Sequence, residues 1–191
     1  MFIVFEGVDR AGKTTQVNRL VAHLESKKTP CKVIKFPNRT TEIGQLLDKF
    51  LRSKRGKFNL PDKVAHLLFS ANRWETMLEV QEDLKAGVTV IADRYVFSAQ
   101  AYGDVTAENA FWYQQADVGL PTPDLVLLLD VADTSTRDGY GSERYENQEF
   151  LTKVRAKFLG MVGENWRVLD ASRPMDDVSA EILALYEAHN K

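Results

Sequence analysis

Eight consecutive residues near the start of the chain have the spacing needed to hold polyphosphate. Gly7-Val8-Asp9-Arg10-Ala11-Gly12-Lys13-Thr14 fits G-x-x-x-x-G-K-[ST] at every fixed position. In such a loop the glycines let backbone N–H groups point at phosphate oxygens, and the following helix offers its positive N-terminal end. Lys13 can reach the β- and γ-phosphates, and the Thr14 hydroxyl can enter the shell of a magnesium ion. The motif predicts binding of a nucleoside triphosphate together with Mg²⁺. Arg10, inside the loop, would lie beside the γ-phosphate and neutralise charge during transfer; the competing reading is a surface arginine paired with Asp9 or Glu6.

Other candidates lie further along. Asp93 ends an apolar run, Val88 to Ala92, and is followed by Arg94. A carboxylate at the end of a buried strand is placed to serve Mg²⁺, directly or through water. Asp130 ends a second such run, Leu125 to Leu129, but has no adjacent arginine, so Asp93 ranks above it. Phe69 and Arg73 are four apart in a helical pattern and share one face, where a flat ring and a forked donor suit a nucleobase. A core stripe is the plainer reading of that pair. His23, His66 and His189 are assigned no chemistry, and His66 is read as partly buried and structural. Cys31 is read as a small buried apolar residue, and Lys54, Arg55 and Lys57 as a solvated basic loop.

These residues need a scaffold. The chain has 191 residues, near the 100–200 typical of a single domain, so residues 1–191 are read as one domain. Lys plus Arg is 25 and Asp plus Glu is 27, and a net charge of −2 lacks the basic excess of a nucleic-acid binder. The longest apolar run is too short to cross a bilayer. With Glu6 in the first apolar stretch nothing resembles a leader, so a cytoplasmic location is expected. One cysteine excludes an internal disulfide framework.

Short apolar runs alternate with helical patterns, as in a parallel sheet with crossover helices. Strands are predicted at Phe2 to Phe5, Cys31 to Phe36, Val88 to Ala92, Leu125 to Leu129 and Trp166 to Leu169. Helical spacing marks Val17–Leu24, Ile43–Leu51, Asp62 to Lys85, Phe150–Val162 and Val178–Tyr186, with a weakly patterned helix from Ser98 to about Val118. The fold class is a three-layer α/β domain: a five-stranded parallel sheet flanked by helices, with a short lid segment. Asp138 to Ser142, with two glycines, is the candidate mobile loop of that lid. From the residues alone, a monophosphate kinase, a nucleoside kinase and a nucleotide-dependent switch all remain open.

The run His66 to Glu75, with Gly7 to Thr15, Phe36-Pro37-Asn38-Arg39, Asp93-Arg94-Tyr95, Gly119-Leu120-Pro121, Pro123-Asp124-Leu125 and Glu143-Arg144-Tyr145-Glu146, resembles thymidylate kinase along nearly the whole chain. The resemblance implies a P-loop phosphotransferase moving the ATP γ-phosphate to thymidine 5′-monophosphate, with deoxyuridine monophosphate as a candidate second acceptor. It implies that the donor is held by Gly7, Val8, Asp9, Arg10, Ala11, Gly12, Lys13, Thr14, Thr15 and Arg137. On the acceptor it implies stacking by Phe69, a base contact by Arg73, and a phosphate clamp from Arg39 and Arg94. Asp9 would meet the 3′-hydroxyl, with Phe36, Pro37, Ser98, Ala99, Tyr102 and Tyr145 completing the sugar and base walls. Asp9, Arg10, Lys13 and Arg94 are the implied catalytic residues, Thr14 and Asp93 the metal site, and residues about 137–146 the lid. A homodimer is implied as well, with Phe111-Trp112-Tyr113 as a candidate packing segment. Arg10 in the loop resembles the eukaryotic and poxviral arrangement, whereas Gln100 and Tyr102 look closer to bacterial members.

Overall fold

The computed structural model describes residues 1–53, 58–106, 110–137, 140–141 and 143–190. Five strands, β1 (Phe2–Glu6), β2 (Cys31–Lys35), β3 (Thr89–Asp93), β4 (Leu125–Asp130) and β5 (Trp166–Asp170), form one parallel sheet in the order β2-β3-β1-β4-β5. Among the described residues, helices α1 (Lys13–Ser26), α2 (Glu42–Arg52), α3 (Asp62–Lys85), α4 (Val96–Thr106), α5 (Ala110–Gln115), α6 (Gln148–Gly160) and α7 (Met175–His189) cross between or flank them. Each predicted strand is present. Within the predicted helix over Ser98 to Val118 the described residues form α4 and α5, and residues 107–109 lie outside them.

The three central strands are apolar on both faces because helices cover both, and β1 and β3 are buried at every position. The edge strands are only partly buried, and Lys32 and Lys35 on β2 discourage pairing with another sheet. Parallel pairing sets Phe5 opposite Asp93, so the loop leaving β1 and the carboxylate ending β3 emerge side by side. Functional sites of open parallel sheets form at this carboxyl edge.

Local chemistry fixes where the neighbouring helices begin. The Thr41 hydroxyl caps α2 by accepting from the Gly44 N–H at 3.0 Å. Buried Glu6 accepts the N–H groups of Tyr95 (2.9 Å) and Ser98 (3.0 Å), a carboxylate at the positive start of α4. Burial lifts the Glu6 carboxyl above its ordinary range, against the pull of Arg94, Ser98 and Tyr95. Helix α7 docks on α1 through Gln16, which donates to the Met175 carbonyl at 3.1 Å and accepts from the Ser179 hydroxyl at 2.7 Å.

Candidate active site

The Gly7–Thr14 loop wraps the end of β1. Gly7 has φ 140°, and a Cβ there would sit 2.5 Å from the Leu129 carbonyl oxygen, so no side chain fits. Gly12 at φ 95° turns the chain into α1. Val8 and Ala11 point into the core, leaving only their backbone to a ligand. The Ala11 N–H already donates to the Val8 carbonyl at 3.2 Å. Lys13 folds back over the loop and donates to the carbonyls of Gly7 (2.9 Å) and Val8 (2.7 Å). Burial, together with the nearby Arg94 charge, pushes its ammonium down to about 7.

Beside the loop, Thr14 Oγ1 donates to Asp93 Oδ2 at 2.5 Å. The Lys35 ammonium lies 3.1 Å from that hydroxyl and 3.2 Å from Asp93 Oδ2, so a cation already sits against the pair. Burial alone would raise Asp93, but Lys13, the Thr14 hydroxyl and Lys35 outweigh it and hold the carboxyl below its ordinary value. Asp130 lies elsewhere: Arg155 grips it through two bonds of 2.6 and 2.8 Å, and it does not line the main cavity.

The loop opens into a cavity of about 810 Å³, within the range of ligand pockets. Asp9, Arg10, Gly12, Lys13, Thr14 and Thr15 line its one end. Arg137 closes over this end, donating to the carbonyls of Arg10 (2.6 Å) and Ala171 (3.1 Å).

The remaining predicted residues line the rest of the cavity. Arg94, at φ 73°, donates to the Gly7 carbonyl and Ser98 Oγ, both at 3.0 Å, and pairs with Asp9. Tyr102 donates its hydroxyl to Asp9 at 2.9 Å. Burial raises Asp9 while Arg94 and Lys13 lower it more, so it remains ionised. Arg39 bridges Asp48 (2.5 Å) and Glu143 (2.7 Å). Phe36, Pro37, Phe69, Arg73 and Ala99 line the wall, and Tyr145 sits edge-on to Tyr102 at 5.7 Å between ring centres. The helical spacing of Phe69 and Arg73 therefore faces a cavity, although Phe69 also packs on Phe50, Leu51 and Ala65.

Several partners differ from expectation. Arg10 pairs with neither Asp9 nor Glu6 but with Glu146, Nε to Oε1 at 2.8 Å. His66 is buried, lines the cavity, and leaves Nε2 without a hydrogen bond among the described residues. Of the aromatic trio at the start of α5, Tyr113 is core and Phe111 is exposed. Cys31 is half-buried rather than buried. The basic residues Lys54, Arg55 and Lys57, and Asp138, Gly139 and Ser142 of the candidate lid, lie outside the described residues.

Sequence reasoning missed Lys35, Glu143, Glu146 and Asp117. The two glutamates lie in a block already singled out, but nothing in it indicates that they meet Arg39 and Arg10, 104 and 136 residues away. Asp117 had no signal at all; it grips Arg73 across 44 residues.

A phosphate loop between strand and helix thus lines a single cavity together with Arg39, Arg94 and the Phe69/Arg73 ring-plus-guanidinium wall. Comparison with known proteins places the chain in one family. A family model described as thymidylate kinase matches residues 5–182. A thymidylate kinase of Homo sapiens is 42% identical over 191 residues, spanning 97% of this chain and 89% of the relative. One from Dictyostelium discoideum is 38% identical over 195 residues, spanning 100% of this chain and 86% of the relative. The solved thymidylate kinase of Candida albicans superposes with a TM-score of 0.87 at 37% identity, covering 99% of this chain and 92% of that one. With the family model spanning residues 5–182 and relatives about 40% identical over almost the full length, the chain belongs to the thymidylate kinase family.

Proposed function

We propose that this protein transfers the γ-phosphoryl group of ATP to the 5′-phosphate of thymidine monophosphate, yielding the diphosphate and ADP. The observation that carries this reading is one cavity lined by a phosphate loop together with Arg39, Arg94 and the Phe69/Arg73 wall. A phosphate-bearing pyrimidine fits that set of groups. An oxygen of the acceptor phosphate forms the new bond to the γ-phosphorus while the bond to the β,γ-bridging oxygen breaks. That acceptor oxygen is already ionised at neutral pH, so no general base is required.

Positioning and charge do the catalytic work. Arg10, Arg39 and Arg94 are each held here by a carboxylate, from Glu146, Asp48 with Glu143, and Asp9 respectively. Carboxylate and phosphate oxygens present similar acceptors to a guanidinium. Arg39 and Arg94 would exchange theirs for the acceptor phosphate and Arg10 its own for the γ-phosphoryl group, while Lys13 would leave the Gly7 and Val8 carbonyls for the same group. Asp9, steadied by Tyr102, would meet the sugar 3′-hydroxyl. Ser98, Ala99 and Tyr145 would complete the sugar and base walls, and Arg137 would cover the donor base. Residues 137–146 would close as the lid and exclude water.

Thr14 and Asp93 suit Mg²⁺, since they already hold the Lys35 ammonium between them. No cluster of three or more His, Cys, Asp or Glu side chains able to hold a metal occurs among the described residues. That small donor set matches an ion carried largely by phosphates and water. Once bound, Mg²⁺ supplies charge neutralisation of the β- and γ-phosphates.

A homodimer is the assembly we propose. Val64, Leu67, Trp74 and Leu78 leave an apolar stripe exposed along α3, with Leu78 79% exposed. No helix among the described residues is long and apolar enough to cross a membrane. One free cysteine suits a reducing compartment such as the cytoplasm.

Arg73→Ala tests the acceptor site. It raises the Michaelis constant for thymidine monophosphate roughly 10- to 150-fold, the value of a charged hydrogen bond, and leaves that for ATP unchanged. Equal losses for both substrates would remove Arg73 from the acceptor site.

A further inference from the structure

Arg73 and Asp117 form an ion pair whose side chains are only 3% and 4% exposed. Arg73 Nε donates to Oδ1 at 3.1 Å, and Nη2 donates to Oδ1 at 2.9 Å and to Oδ2 at 2.6 Å. Ser70 Oγ adds a bond of 2.8 Å to Oδ1 and another of 2.8 Å to the Ala116 carbonyl. Trp74 Nε1 donates to that same carbonyl at 2.9 Å. Three side chains of α3 therefore pin residues 116–117, and that segment in turn pins Arg73.

Arg73 lines the cavity and Asp117 does not. A guanidinium is planar, so fixing the Nε–Nη2 edge fixes the direction of every remaining N–H. Nη1 makes no bond to Asp117 and has none with any other described residue. Both Asp117 oxygens are engaged, so the pair turns donors outward and keeps its acceptors covered.

We propose that Asp117 is a positioning residue for base selection: it holds Arg73 so that only N–H donors meet the pyrimidine edge. A pyrimidine with a carbonyl there accepts those donors. One with an amino group presents N–H against N–H and finds no acceptor. The pair thereby favours a thymine- or uracil-type base over a cytosine-type base. This rests on the reading of Arg73 as a base-site residue.

The test compares wild type, Asp117→Asn, Asp117→Glu, Arg73→Met and the double variant Arg73→Met/Asp117→Asn. Each is assayed with thymidine monophosphate and deoxycytidine monophosphate at saturating Mg-ATP, alongside thermal melts. Asp117→Asn raises the Michaelis constant for thymidine monophosphate about tenfold, with turnover and the constant for ATP within about threefold. It also narrows the preference for thymidine over deoxycytidine monophosphate. Asp117→Glu restores part of both. The double variant matches Arg73→Met in both readouts, and it folds without an unpaired buried charge.

An Arg73→Met variant with normal acceptor kinetics would overturn the base-site reading itself. If Arg73→Met weakens the acceptor but Asp117→Asn does not, or the double variant is worse than Arg73→Met, the positioning role is wrong. A parallel loss of turnover and of both Michaelis constants in Asp117→Asn, with base preference intact, would mark Asp117 as structural and overturn the proposal.

Discussion

Gly44, in the first turn of α2, sets two effects of opposite sign against each other. By helix propensity alone, Gly44→Ala would stabilise the protein by about 1 kcal/mol. Packing opposes this: a Cβ at position 44 would lie 1.7 Å from the Asn38 carbonyl oxygen, 2.6 Å from its carbon and 2.9 Å from the Arg39 Cα. Restoring an ordinary 3.2 Å contact requires the backbone at Asn38 to retreat by about 1.5 Å, the difference between 3.2 and 1.7 Å. That backbone is tied to α3 by Asn72, which accepts from the Asn38 N–H at 2.7 Å and donates to the Asn38 carbonyl at 3.2 Å. Losing both bonds costs about 2 kcal/mol and crowding a packed site 1–3 kcal/mol. Against the helix gain of about 1 kcal/mol, the net destabilisation is roughly 2–4 kcal/mol, or about 4–15 °C in Tm for a chain of this size. Arg39 moves with the loop, and a misplacement near 1 Å costs on the order of 10²-fold in a positioned reaction. Steady-state assays should therefore show kcat/KM for thymidine monophosphate falling roughly 10- to 100-fold, with KM for ATP nearly unchanged. An alanine variant with a raised Tm and normal acceptor kinetics would refute this reasoning.

Arg10→Ala should lower turnover on the order of 10³-fold with little change in either nucleotide's affinity, since its role lies in the transition state; unchanged turnover removes that role. Lys13, pushed down to about 7 before nucleotide binds, gains a phosphate partner on binding, so binding at pH 8 should take up protons. The affinity it supplies is complete below about 7 and weakens as pH rises; calorimetry in buffers of different ionisation enthalpy reads the uptake, and a zero value contradicts it. Burial and the Arg73 charge lower His66, so the folded protein binds a proton there less readily than the unfolded chain, whose histidine titrates near ~6.5. Stability should then fall as pH drops below about 6.5, and His66→Phe should flatten the melting profile on that acid side; an identical slope contradicts it. If the proposed homodimer forms through α3, Leu78→Glu should shift sedimentation toward monomer, and an unchanged mass would place the interface elsewhere.

What could be read in the sequence follows from which signals are local. Helix α3 runs Asp62–Lys85 as its periodicity predicts, and the phosphate loop was recognisable because strand, glycines and helix adjoin in the chain. The preference for Asp93 over Asp130 rested on an adjacent arginine; its physical basis is register, since Asp93 pairs with Phe5 beside the loop. The pattern over α4 is weak because α4 packs on α3, α5 and α6 and carries no single apolar stripe. The long-range charge pairs were equally hidden. Nothing in the spacing of Arg10, Arg39 or Arg73 names Glu146, Glu143 or Asp117 as its partner, because only the folded chain brings them together.

The central claim is transfer of a phosphoryl group to a pyrimidine monophosphate, and ADP release with Mg-ATP measures it most directly. The acceptors to compare are thymidine monophosphate, deoxyuridine monophosphate, deoxycytidine monophosphate and free thymidine. The account predicts that thymidine monophosphate is preferred, deoxyuridine monophosphate trails it, and free thymidine gives nothing. Turnover on free thymidine alone, or silence with every acceptor despite tight ATP binding, would contradict it.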